Sequence, residues 1–237
     1  MKKVIGVVPK TVPFDMEKHN MNDVYYLGNN YVKRVSEAGC LPVCISPIDG
    51  YIDKDVLELC DGFVAQGGQK MMPYHFQVIH YAVETGKKYL GICLGMQLIH
   101  RYFALRKFVE QSGCMGDVLN QIIDLQFNQK IVHGRLEPVE GHRTTNMPRG
   151  QEDVAKHDVQ IVPGTLLHKV MGRDMMAGAT FHSWRVVDPI DELKVNAWAT
   201  DGSGTIEGIE FGENILGVQF HPEVDDKLPE LFRFLSE

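Results

Sequence analysis

Near its start the chain carries a short unbroken apolar run, Val4-Ile5-Gly6-Val7-Val8, which Pro9 cuts off. A run without polar alternation suits a strand covered on both faces. Between residues 23 and 39 the pattern changes: Val24, Leu27, Tyr31, Val32 and Val35 share one side of a helix, and Gly39 marks its stop. Residues 41–46, closed by Pro47, read as a second strand, and residues 62–66 as a third that runs into Gly67-Gly68. Residues 73–86 have helical spacing, with Pro73 at the start and Gly86 at the stop. Residues 87–93 are the next strand and 94–105 the next helix. Strands alternating with helices predict right-handed crossovers and a parallel sheet covered on both faces.

Beyond about residue 110 the periodicity weakens. Residues 112–157 are rich in Gly, Asn, Gln and His and are expected to form an irregular excursion. Strand-like runs return at 159–163, 180–187, 193–200, 204–211 and 214–220, with hairpin-style turns at Asp201-Gly202 and Glu213-Asn214. Residues 227–237 close the chain as an amphipathic helix. The expected architecture is a single α/β domain over residues 1–237, a three-layer sandwich whose mostly parallel central sheet carries an antiparallel extension. In such sheets the binding crevice lies at the carboxyl ends of the strands, where Gly67-Gly68 and Cys93 both fall.

Composition narrows the function classes. The 237 residues are 44% hydrophobic and 23% charged, ordinary for a globular chain. The net charge of -7, with Lys and Arg spread rather than massed, argues against a nucleic-acid partner. The opening apolar run is too short for a signal peptide, and no stretch approaches a membrane span, so no membrane partner is expected. Five cysteines, at 40, 44, 60, 93 and 114, form no disulfide framework, which fits reduced thiols in the cytoplasm. No Cys/His set has zinc-ligand spacing, so neither metal nor cofactor is expected. His133, His142, Arg143 and His157 read as surface residues of the excursion, and Glu17 to His19 as part of a loop near the sheet's mouth. Met71-Met72 and Met175-Met176 read as gap fillers.

The stretch Gly91-Ile92-Cys93-Leu94-Gly95 joins a strand to a helix. G-x-C-x-G in that context is the cysteine counterpart of the nucleophile elbow, in which a strained residue is thrust out of the backbone between small neighbours. Its sulfur would stand at a helix N-terminus, where free amides favour an anion, and the Leu94 amide would face the same space. His221-Pro222-Glu223 follows a strand and offers a base with an orienting carboxylate. Gly67-Gly68 offers backbone donors for an oxyanion.

The pair "GICLGMQ" and "GVQFHPE" resembles the motifs of the class I glutamine amidotransferase superfamily. Residues 25–47 and the opening strand are similar to its γ-glutamyl-γ-aminobutyrate hydrolase-like branch, the C26 peptidases. The resemblance covers most of 3–105 and 158–224 and fades across 106–157. It implies a flavodoxin-like fold and hydrolysis of γ-glutamyl amides of small molecules. It also implies Cys93 as nucleophile, His221 as base, Glu223 as orienting carboxylate, and the amides of Leu94 and of Gly67 or Gly68 as oxyanion donors. Gln97 and His182 become candidate substrate contacts, His182 with a hydrogen-bonded structural role as the alternative. The chain departs from the branch where Gln69-Lys70-Met71-Met72 replaces an acidic turn, and where Trp184 replaces a glutamine. Two other functions stay open: a glutaminase subunit that passes ammonia to a separate synthase, and a non-catalytic ligand-binding module. The oligomeric state, a homodimer among the options, is left open too.

Overall fold

The structure is a computed structural model that describes residues 1–11, 24–113, 116–129, 134–142, 156–225 and 228–237. Thirteen strands are found among these residues: β1 (Val4–Val8), β2 (Lys10–Thr11), β3 (Tyr25–Tyr26), β4 (Leu41–Cys44), β5 (Gly62–Ala65), β6 (Lys88–Ile92), β7 (Leu136–Pro138), β8 (Lys156–Ile161), β9 (Met175–Ala179), β10 (Trp184–Val186), β11 (Lys194–Ala199), β12 (Ile206–Phe211) and β13 (Ile215–Val218). The helices are α1 (Asn29–Glu37), α2 (Lys54–Leu59), α3 (Pro73–Thr85), α4 (Leu94–Ser112), α5 (Val118–Phe127), α6 (Leu166–Met171) and α7 (Pro229–Arg233).

Nine strands form one mixed sheet in the order β4-β1-β5-β6-β13-β12-β11-β8-β9. The half from β4 to β13 is parallel, and the remaining strands extend it antiparallel. Side chains of the parallel strands alternate between the two faces. Ile5, Val7, Val64, Leu90 and Ile92 pack with residues of α1, α6 and α7, whereas Val8, Phe63, Ala65 and Tyr89 pack with α2, α3, α4 and α5. This is the three-layer α/β arrangement expected from the sequence.

Register positions the chemistry. Ala65 pairs with Gly91, and Ile92 with Val218, so β5, β6 and β13 end level with one another. The residues that follow, Gln66-Gly67, Cys93 and Gln219 to His221, therefore emerge side by side at the carboxyl edge.

Several boundaries differ from the sequence reading, each for a physical reason. The first helix begins at Asn29 and leaves out Val24 and Leu27. Tyr25 and Tyr26 instead pair with β2, and Gln66 fixes this extended stretch by accepting from Gly28 N and donating to Tyr26 O. The helix after Cys93 runs on to Ser112 and stops at Gly113, whose φ of +65° ends it. The excursion contains α5, capped by Asp117 accepting from Asn120 N, with Ile122, Ile123 and Leu125 buried. Residues 184–186 do not join the main sheet but pair with β7. Both α6 and β9 went unrecognised, and β9 is an edge strand with Met176 buried and Met175 exposed. His133, Arg143, Cys114 and Glu17 to His19 lie outside the described residues.

Candidate active site

Cys93 sits between β6 and α4 with φ 53° and ψ -103°, a positive φ for a residue that carries a side chain. Such a conformation costs on the order of 1–3 kcal/mol and survives only when its surroundings over-determine it. Here they do. Cys93 N donates to Val218 O at 2.8 Å, and its carbonyl accepts from Gln97 N at 3.1 Å, which starts the helix. The flanking glycines are required by contact. A methyl group on Gly91 would lie 2.6 Å from the carbonyl carbon and oxygen of Gly95, and one on Gly95 would lie 2.9 Å from Ala65 O. Helix and strand thus close to backbone contact around the cysteine.

Gly67 brings the other partners in. A methyl group there would stand 2.8 Å from His221 Cε1, 3.3 Å from Cys93 Cβ and 3.4 Å from the Tyr31 hydroxyl. Cys93, His221 and Tyr31 therefore surround this one glycine. His221 Nδ1 and Glu223 Oε1 are 2.7 Å apart, and Tyr31 donates its hydroxyl proton to the same Glu223 oxygen at 2.7 Å. Arg34 Nε donates to Glu223 O at 3.3 Å. His221 and Glu223 are both buried, and His221 Nε2 has no hydrogen-bond partner among the described residues. Phe181 packs edge-on against the imidazole, with ring centroids 5.1 Å apart.

Electrostatics follow from this arrangement. Burial disfavours a charged His221, but the Glu223 carboxylate and the sulfur of Cys93 outweigh it and raise the imidazole pKa well above its ordinary range. Burial, then Glu223, holds the Tyr31 hydroxyl firmly protonated, so it stays a donor.

The expected site residues separate into two groups. Cys93, His221, Glu223, Gly67, Gly68 and Leu94 gather at the elbow, where a methyl group on Gly68 would lie 3.1 Å from Leu94 Cδ2. The Gly67 amide donates to Tyr31 Oη at 3.0 Å, so of the two glycine amides that of Gly67 is already engaged. Leu94 is the first residue of α4, so its amide has no partner one turn back. Gln97 and His182 are engaged elsewhere. Gln97 Nε2 donates to Trp184 O and Gln219 Oε1, and His182 is buried against His142 and Glu207. His142 is buried and His157 nearly so, which corrects their reading as surface residues. Tyr31 was missed as part of the site. It read only as one apolar position of a helix, and its spacing held no trace of a partner 192 residues away.

A sequence profile of the peptidase C26 family matches residues 3–223. The chain belongs to that family. A protein of Rickettsia prowazekii described as glutamine amidotransferase-like is 25% identical, over 94% of this chain and 91% of its own length. Protein NtpR of Enterococcus hirae is 24% identical, over 94% and 92%. CTP synthase of Chlamydia caviae is 26% identical, but the match spans only 32% of that longer protein. Among solved structures, the glutaminase domain of the Trypanosoma brucei CTP synthase, with bound acivicin, superposes with a TM-score of 0.65 at 17% identity. That match covers 99% of this chain and 92% of that one. A glutamine amidotransferase of Thermotoga maritima gives 0.57 at 15%, over 94% and 77%. These likenesses support the flavodoxin-like amidotransferase fold.

Three outcomes are expected from this geometry. Gly91→Ala places its methyl against backbone that cannot move aside, and should cost about 3 kcal/mol or more in chemical denaturation. Tyr31→Phe strands the buried Gly67 amide and should cost about 1–3 kcal/mol in the same assay. Glu223→Gln removes the charge that raises the His221 pKa. Alkylation of Cys93 by iodoacetamide should then slow about tenfold or more at pH 7, because one pKa unit is a factor of ten, and converge with wild type at high pH. Because the folded His221 pKa lies above the unfolded value, its contribution to stability is full below about pH 6.5 and is lost as pH rises through the folded value. Equal alkylation rates of the two proteins across pH would contradict the charge coupling.

Proposed function

We propose that this chain hydrolyses γ-glutamyl amide bonds through a thioester on Cys93 and releases glutamate. The observation that carries the proposal is the positive-φ cysteine beside a buried imidazole whose far nitrogen is held by a carboxylate. Membership of the peptidase C26 family supports an amide substrate.

In this reading the sulfur of Cys93 attacks the γ-carbonyl carbon and His221 Nε2 holds the thiol proton. The oxygen that becomes negative accepts from the Leu94 and Gly68 amides, donors fixed before the substrate arrives. His221 gives its proton to the amine as the C–N bond breaks. Water then attacks the thioester, His221 takes a proton from it, and glutamate leaves. The Glu223 carboxylate holds Nδ1 and so leaves Nε2 to face the sulfur. Tyr31 holds that carboxylate in line and anchors the glycine loop with the same hydroxyl. Lys70 is exposed and Trp184 half-exposed, so neither is committed to the core.

The CTP synthase matches favour a second reading, in which the same chemistry releases ammonia from glutamine for a separate synthase. One assay separates the two. Purified protein is presented with a panel of γ-glutamyl amines and with glutamine, and free glutamate is measured. The hydrolase reading expects turnover of a γ-glutamyl amine by the chain alone, reduced at least about 10⁴-fold in Cys93→Ala. Turnover of glutamine only, and only with a partner present, would move the function to the second reading. Glutamate release that survives in Cys93→Ala would end both.

A further inference from the structure

Away from the elbow, β12 turns Glu207 into a fully buried position that faces three imidazoles. His142 Nδ1 lies 3.1 Å from His182 Nε2, and each of these nitrogens lies 3.5 Å from Glu207 Oε1. His157 Nε2 stands 3.1 Å from the same oxygen. The far sides of two rings are already committed. His142 Nε2 is 2.7 Å from Asp201 Oδ2, and His182 Nδ1 is 3.2 Å from Trp184 O. A carboxylate and a carbonyl only accept, so the ring protons belong on those outer nitrogens. Two bare lone pairs then face each other at 3.1 Å, beside a carboxylate whose oxygens meet no hydrogen-bond geometry among the described residues. In a dry interior that arrangement repels itself unless a proton or a metal cation sits between the donors.

We propose that His142, His182 and Glu207 ligate a divalent transition-metal ion of the zinc type, with His157 at the edge of the fourth position. The triangle of donor atoms has the right size. Ligands at about 2.0–2.1 Å in a tetrahedral site stand about 3.3–3.4 Å apart, between the shortest and longest edges found here. An ion at that distance from all three atoms sits about 0.6 Å above their plane, close to the tetrahedral value. Nitrogen and carboxylate donors without thiolate suit zinc, cobalt or nickel. The outer contacts to Asp201 and Trp184 O are the partners that ligating imidazoles ordinarily make, since they fix the tautomer and aim the lone pair.

The site is structural rather than part of the hydrolysis, and it stands whether or not the proposed activity does. It would tie three sequence-distant pieces, residues 136–142, 180–186 and the β11–β12 turn, to β12. The same pieces meet again through His142 O, which accepts from Thr180 Oγ1 and His182 N. Phe181, between those two residues, is the ring that packs on His221.

The test uses the whole chain, stripped with a chelator and titrated with Zn²⁺ at pH 7.5. One Zn²⁺ per chain is expected, with a rise in melting temperature, and Co²⁺ in its place should show the visible absorption of a tetrahedral site. Glu207→Gln should abolish both signals. Because Glu207 is fully buried and its variant can fail to fold, Asp201→Asn is the second arm: Asp201 is partly exposed, touches no ion, and its loss should weaken Zn²⁺ binding about 10–100-fold. Wild-type protein that binds no Zn²⁺ or Co²⁺ at micromolar concentration would overturn the proposal. So would binding unchanged in Asp201→Asn, or a melting temperature that follows pH but neither ion, since a shared proton would then occupy the cluster.

Discussion

The backbone of Cys93 is the constraint on which the rest of the site depends. Its positive φ is unfavourable alone, and close backbone packing holds it: Val218 O accepts from its amide, Gly91 closes on Gly95, and Gly95 closes on Ala65. A side chain at Gly91 would push β6 from α4, one at Gly95 would push α4 from β5, and either would let the cysteine relax. Strain here is stored in packing, and packing is rigid in a way that a loop is not. The sulfur therefore keeps its place in the absence of any ligand, which spares the cost of organising it when one arrives.

A second constraint is that one carboxylate serves two loops. Glu223 Oε1 meets both the His221 ring and the Tyr31 hydroxyl, and that hydroxyl in turn accepts from the Gly67 amide. The glycine loop after β5, the helix α1 and the turn after β13 are thereby coupled through three polar groups, all inside the protein. Buried networks of this sort are worth keeping only when complete, since each orphaned group carries a full desolvation cost. Two atoms of this group have no hydrogen-bond partner among the described residues, Glu223 Oε2 and His221 Nε2. An imidazole nitrogen free to take a proton is what the proposed reaction asks of the cluster.

The extent to which this was legible in the sequence tracks how local each signal is. The parallel half was readable because buried strands make short apolar runs, and Pro9, Pro47, Gly39 and Gly86 punctuate them. The elbow was readable because its geometry demands small residues at fixed offsets around Cys93, and His221 stands two residues from the Glu223 that orients it. Boundaries failed where a distant side chain decided them. Gln66 holds residues 25–28 extended, so a periodic stretch that looked helical from Val24 became helical only at Asn29. The short helix α5 does carry a helical apolar period, Val118, Leu119, Ile122, Ile123 and Leu125, but the Gly-, Asn-, Gln- and His-rich residues around it mask that period when 112–157 is taken as one stretch. The histidines were misread for the same reason. His142, His157 and His182 share no spacing in sequence and converge only because the segment after β7, β8 and the segment before β10 meet at β12.

That convergence bears on how the two polar centres divide the fold. Glu207 and the turn carrying His221 belong to neighbouring strands: Gln219 N donates to Glu207 O at 2.9 Å, and His221 N donates to Ala179 O at 2.9 Å. The antiparallel half thus holds the backbone of His221 in place while contributing no side chain to the Cys93–His221–Glu223 group. A parallel sheet alone could aim Cys93 from β6, but it would leave the far wall of the cleft to segments without regular backbone pairing. The histidine–glutamate cluster fastens that wall from behind, through side chains, where the main sheet no longer supplies hydrogen bonds. Within residues 180–186, His182 is buried against His142 and Glu207 while Trp184 is half-exposed.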